Sequence, residues 1–187
     1  MIIECFVISI IIGLLRKGSL RNLAGIPLRH TFLFILPFLL FGVIITLART
    51  NPELRSLIRA GNVIQYVLLL AAIILNVRIR EMLVVGVGTF MNFVALAANK
   101  GMMPVSMKAL QVAGMQDALN GQPIRHALLT PETRLKWLTD VIPVPLGSPY
   151  LSEVVSPGDL LVAAAIFILV QRHMRAPSHA KEPATSA

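Results

Sequence analysis

Apolar positions in this chain come in long, nearly unbroken runs. Five stand out: Ile2–Leu15, 31–48, 62–77, 82–98 and 160–170. About 20 helical residues span the ~30 Å of hydrocarbon in a bilayer, with about 17 as a lower bound. The second and fourth runs meet that bound and the third falls slightly short. The first and fifth reach across by recruiting boundary residues such as Met1, Gly158, Asp159 and Gln171, or where the bilayer thins locally. The pattern predicts an all-α integral membrane protein of about five transmembrane helices. The spans fall at about 2–15, 31–48, 62–77, 82–98 and 158–171, within a single transmembrane domain, 1–175.

The polar segments between the runs predict how the chain is oriented. Arg16, Lys17, Arg21 and Arg29 follow the first run with no acid among them, Arg78 and Arg80 sit in a tight connection, and Arg172, Arg175 and Lys181 follow the last run. Basic residues in short loops favour the cytoplasmic side, and long loops count less. This places the N-terminus outside, the C-terminus in the cytoplasm and the 99–157 loop on the outer face. The basic loop Arg49, Arg55 and Arg59 then falls outside as well. It reads as a short interfacial helix with Leu54, Leu57 and Ile58 as its apolar stripe.

The outer loop is predicted to be partly helical. Residues 107–118 read as a short helix, with Leu110, Ala113 and Gly114 at helical spacing, and Asn120-Gly121 reads as a turn. Thr130, Pro131 and Glu132 read as a helix start, with cap, first-position proline and an acid near the positive end. Trp137 is an interfacial anchor, and Pro143 and Pro145 end the segment. The tail 176–187, rich in Pro, Ala, Ser and charge, reads as disordered.

Composition supports a membrane protein. Of 187 residues, 56% are hydrophobic and 14% charged, and mean hydropathy is +0.76; soluble domains carry about 25% charged residues. The net charge of +8 comes from clusters between apolar runs, so it reads as topology signal and not as a nucleic-acid surface. One cysteine, Cys5, rules out a disulfide framework, and the four scattered histidines have no metal-ligand spacing. No positive charge precedes the first run and no A-x-A-like site follows it, so it reads as a retained helix. No cofactor is expected, and the expected partners are the lipid bilayer and a membrane protein or lipid.

Polar groups at a membrane boundary are costly and are the first place to look for function. Gly88, Asn92, Ala95 and Asn99 share one face of the fourth helix, the kind of face that packs on neighbouring helices; Asn92 or Asn99 could also orient a site group. Asn62, Gln65 and Tyr66 read as boundary residues without functional weight. Ser156-Pro157-Gly158-Asp159 has the layout of a capping box. Asp140, read at a helix C-terminus, opposes the helix dipole, and Arg134 or Lys136 could pair with it. Two convergent carboxylates can also divide the acid and base roles of a hydrolysis. Asp140 and Asp159 are therefore the candidate catalytic residues, with Asn92, Asn99 and Arg134 in support.

Two resemblances attach to these motifs. The segments ANKGMMPV, LTPETRLKWLTDVIPVP and SPGDLLVAAAIF, about half the chain, resemble a family of small bacterial multi-spanning membrane proteins of unknown function. The last third is distantly similar to lipoprotein signal peptidase, an intramembrane aspartyl protease. That similarity implies Gly86, Gly88 and Asn92 on its glycine-rich helix, Asp140 as its first aspartate and Asp159 as its second. The Asp-Arg that follows the Asn in that family is replaced here by Val94-Ala95 after Asn92-Phe93, and the stretch from Asn92 to Asp140 is longer. The expected function is a non-catalytic binding, scaffold or assembly module in the cell inner membrane, with an outer-face aspartyl peptidase-like hydrolase as the alternative. A transporter is disfavoured, since no acid sits mid-helix and no repeat is visible.

Overall fold

The computed structural model describes residues 2–115, 126–148 and 151–175, with only the backbone of Arg49, Pro52 and Arg55. The described residues form seven α-helices: α1 (Ile2–Leu15), α2 (Leu20–Leu23), α3 (Phe32–Thr50), α4 (Ser56–Ile74), α5 (Arg80–Ala98), α6 (Met107–Val112) and α7 (Pro157–Met174). Four short strands join them: β1 (Met103–Val105), β2 (His126–Leu128), β3 (Ile142–Val144) and β4 (Glu153–Val155). The protein is mostly helical, and the strands are confined to the segment between α5 and α7. Residues 116–118, the Asn120-Gly121 turn and the tail 176–187 lie outside the described residues.

The five long helices pack in a row: α1 against α7, α7 against α5, α5 against α4 and α4 against α3. Ile73, Met82, Val85, Val162, Ala165 and Leu169 interlock at the centre of this row. Large apolar side chains also cover the outside, including Phe38 and Leu39 on α3, Val87 and Phe90 on α5 and Ile168 on α7. An apolar exterior of this extent suits lipid contact better than water. Three helices, α4, α5 and α7, are long and apolar enough to cross a membrane. α1 and the Phe32–Ala48 stretch of α3 are apolar but shorter.

Helix ends are set by polar contacts that hydropathy does not reveal. α4 begins at Ser56 because a 3-10 turn, Pro52–Arg55, feeds directly into it. The short interfacial helix expected over Arg49–Arg59 is thus split between the end of α3, this turn and the first turn of α4, where Ile58 is buried and Leu57 exposed. At its other end, α4 stops where the Asn76 amide donates to the carbonyls of Ala72 (2.8 Å) and Arg29 (2.9 Å). The Asn76 carbonyl accepts the Arg29 N–H at 2.7 Å, so one side chain ties two connections together.

The expected helix start at Thr130, Pro131 and Glu132 is a turn instead, closed by Thr133 N–H to Thr130 O at 3.1 Å. Leu135 takes a left-handed conformation (φ 51°), which stops a helix from propagating, and only a 3-10 turn over Lys136–Leu138 remains. Asn99 imposes this path: its amide donates to Arg134 O (2.9 Å) and its carbonyl accepts Arg134 N–H (3.0 Å). The Thr130 side chain and the Glu132 backbone hold the exposed Glu132 carboxyl below its usual value.

Close backbone approach fixes the central contact. A Cβ on Gly88 would lie 2.5 Å from Gly158 O, and one on Gly158 would lie 2.5 Å from Gly88 O. Only glycine at both positions lets α5 and α7 meet there. Gly158→Ala should therefore cost about 1–3 kcal/mol by overpacking. Gly42→Ala, on α3 with no atom within 4 Å of its Cβ, should be neutral or add about 0.5–1 kcal/mol. Denaturation of both variants in one detergent checks the contrast; equal unfolding midpoints would discard it.

Candidate functional site

The start of α7 is written by its first residues. The Ser156 hydroxyl accepts the Asp159 N–H at 3.0 Å, and the Asp159 carboxylate accepts the Ser156 N–H at 3.0 Å, a complete capping box with Pro157 at the first helical position. Asn92 on α5 joins this cap. Its amide donates to the second Asp159 oxygen at 2.8 Å, and its carbonyl lies 2.7 Å from the Ser156 hydroxyl. That hydroxyl also lies 2.8 Å from the first Asp159 oxygen, so its single hydrogen is shared between two acceptors. Asn92 and Ser156 are fully enclosed.

Asp140 is placed by a different device. Its N–H donates to Pro104 O (3.0 Å) and its carbonyl accepts the Ser106 N–H (2.9 Å), so it bridges to β1 as an added strand residue. β1 runs parallel to β2 with Met103 opposite His126. This arrangement brings His126 Nδ1 to 3.2 Å from the Asp140 carboxylate, which is 6% exposed. Asp140 therefore does not end a helix, and the dipole objection raised by the sequence falls away. The imidazole of His126 faces the carboxylate, where the sequence offers Arg134 or Lys136 as pairing candidates.

The two aspartates reach one place because β3 and β4 form an antiparallel hairpin with Ile142 opposite Val155. Asp140 precedes the first strand and Asp159 follows the second, so both emerge at the open end of the hairpin. They line a cavity of about 460 Å³ together with Glu4 from α1, Asn62 and Tyr66 from α4, Leu96 from α5, His126 and Glu153. Asn92 stands behind Asp159, while Asn99 and Arg134 hold the loop through Arg134's backbone and do not line the cavity. Glu4, Glu153, His126, Asn62 and Tyr66 were missed as site residues by the sequence reading. For Asn62 and Tyr66 the signal existed: with Gln65 they form a polar face at spacings 62, 65 and 66 on an apolar helix. Glu4, an acid in the first turn of an apolar helix, was equally visible. His126 and Glu153 depend on strand register, which left no signal. Among the described residues no group of His, Cys, Asp and Glu has the arrangement of a metal site.

A mostly helical protein with three membrane-length helices and a polar cavity at one end of the bundle is the class that fold and site define. Within it, the chain belongs to a family of unknown function, DUF5317, whose model matches residues 25–171. The match takes in the three segments singled out from the sequence and extends upstream through α3 and α4. No curated protein and no solved structure matches the chain.

The cap makes a quantitative expectation. Ser156→Ala should cost about 1 kcal/mol, the usual effect of losing a helix N-cap. Asn92→Ala should cost about 1–3 kcal/mol, because it leaves an Asp159 oxygen without its amide donor. The double variant should cost less than the sum, since both act on the same carboxylate. Strict additivity in chemical unfolding would show that the network is not one unit.

Proposed function

We propose that this protein is a five-span membrane protein of a bacterial inner membrane, with its N-terminus outside and its tail in the cytoplasm, and that it is a non-catalytic binding module. Its ligand site is the cavity that holds Glu4, Asp140, Glu153 and Asp159, and its ligand carries a cationic or hydrogen-bond-donating group beside an apolar portion. The observation that supports binding over catalysis is the state of Asp159. It accepts from the Ser156 N–H and the Asn92 amide, and the cap of α7 rests on those bonds. These bonds give Asp159 a complete structural role at the start of α7 that calls for no catalytic one. The apolar portion is suggested by the remaining walls, Ile2, Ile3, Leu96, Met103 and Val155.

A second reading, an aspartyl peptidase-like hydrolase with Asp140 and Asp159 as its dyad, is favoured by one observation: both line the same cavity. Two experiments separate the readings. Thermal unfolding of the full chain in detergent is measured with hexylamine and with hexanol. The amine should stabilise the wild type, the alcohol should not, and Asp140→Asn should abolish the difference. In the second, the wild type, Asp140→Asn and Asp159→Asn are incubated with a lipid-modified precursor peptide. No cleavage by any of them is expected; cleavage by the wild type that both variants abolish would replace the binding reading with the hydrolase.

Orientation has its own test. In a Cys5→Ser background, a cysteine at Leu151 should react with a membrane-impermeant maleimide in intact cells. One at Arg175 should react only after permeabilisation. The reverse pattern would invert the topology.

A further inference from the structure

At the opposite end of the bundle from the acidic cavity, α1 and α7 finish side by side and leave a groove of about 290 Å³. Arg16, Phe167, Ile168, Gln171, Arg172 and Arg175 line it. We propose that this groove binds one anionic phospholipid of the adjoining leaflet, its phosphate held by Arg16, Arg172 and Arg175 and its acyl chain laid along Phe167 and Ile168.

The groove is built, and not merely basic. Gln171 is buried, and its amide donates to the Ser9 carbonyl and hydroxyl on α1. With its amide thus fixed, its carbonyl accepts from Arg16 Nη1 at 2.8 Å. Arg172 is held from its other side by Glu81, Nη1 to Oε1 at 2.9 Å, while 55% of its side chain remains exposed. Each guanidinium has five N–H donors in a rigid fork, so a single fixed contact orients the fork and leaves other donors for a ligand. Phosphate diesters are the natural acceptors for such paired forks.

Charge and polarity choose the occupant. Among the described residues no carboxylate lines the groove, so the ammonium of a zwitterionic head group meets no partner in them. Phe167 and Ile168 lie about one to two turns deeper along α7 than Arg172 and Arg175, with Ile168 exposed, which gives an acyl chain a wall beneath its head group. A free phosphate would leave that wall unused. The adjoining cavity of about 170 Å³, with Arg78, Arg80 and His173, adds positive potential but contains Glu81. The phosphate therefore belongs in the first groove, where none of the described lining residues is acidic. Basic recesses between membrane helices are suited to anionic head groups.

The full chain in nanodiscs of phosphatidylcholine, with or without phosphatidylglycerol, tests this by native mass spectrometry of the lipid retained after extraction. The wild type should retain one phosphatidylglycerol in preference to phosphatidylcholine. Arg16→Gln and Arg175→Gln should each lower that preference about fivefold, the equivalent of about 1 kcal/mol. Arg172→Gln is tested together with Glu81→Gln, so that no buried carboxylate is left unpaired, and should lower it similarly. Phe167→Ala should weaken retention of the lipid without making it indifferent to head group. Equal retention of both lipids, an undiminished preference in Arg16→Gln/Arg175→Gln, or displacement of the lipid by inorganic phosphate would each overturn the proposal.

Discussion

A polar side chain enclosed among apolar helices must find every partner inside the protein, because water is absent and each unmet group costs several kcal/mol. The junction of α5 and α7 is organised by that constraint. Asn92, Ser156 and Asp159 satisfy one another, and they can do so only because Gly88 and Gly158 let the two backbones touch. The network decides where α7 begins. It also fixes the exit of the β3–β4 hairpin, since β4 ends one residue before the Ser156 cap. Asp140, at the other end of that hairpin, is then carried to the same cavity. The acidic cavity is in this sense a consequence of one interhelical contact.

The same logic recurs at the far end with opposite charge. Gln171 and Ser9 tie α7 to α1, Arg172 and Glu81 tie it to α5, and Ser19 N–H meets Met174 O. α7 is thus pinned at both ends by polar contacts and only packed in the middle by Val162, Ala165 and Leu169. Apolar packing between helices in lipid carries little hydrophobic driving force, so such pins have more to decide than they would in water. They also give the bundle chemically distinct ends: one presents carboxylates around a cavity, the other guanidiniums around a groove.

How much of this was legible follows from which interactions are local. The apolar runs marked every long helix, and the Ser156–Asp159 cap was readable because its members are three residues apart. The face formed by Gly88, Asn92 and Ala95 was readable from helical periodicity, and all three are buried. The segment between α5 and α7 was not. Thr130, Pro131 and Glu132 carry good helix-start chemistry, yet Asn99, far away in sequence, captures the Arg134 backbone and diverts the chain. The β1–β2 pairing that brings His126 to Asp140 is parallel and non-local, so no turn motif announces it. The hairpin was hidden by Pro143 and Pro145, which suggest a loop, although Pro143 sits in a strand opposite Val154. Site residues contributed by helix faces were within reach of the sequence; those contributed by strand register were not.

Asp140 and Asp159 look alike in sequence and differ in what their surroundings ask of them. Asp159 accepts from a backbone N–H and an amide N–H. The Ser156 hydroxyl also lies 2.8 Å from one of its oxygens, so the carboxylate is tied into the cap of its own helix. Asp140 faces an imidazole on a half-exposed histidine, a partner that can either donate or accept. From the sequence, Asp159 falls in a capping box and Asp140 at a helix C-terminus that opposes it. The dipole is absent, but an asymmetry of placement remains: Asp159 is locked into the cap of its own helix, whereas Asp140 is held by strand pairing and faces His126.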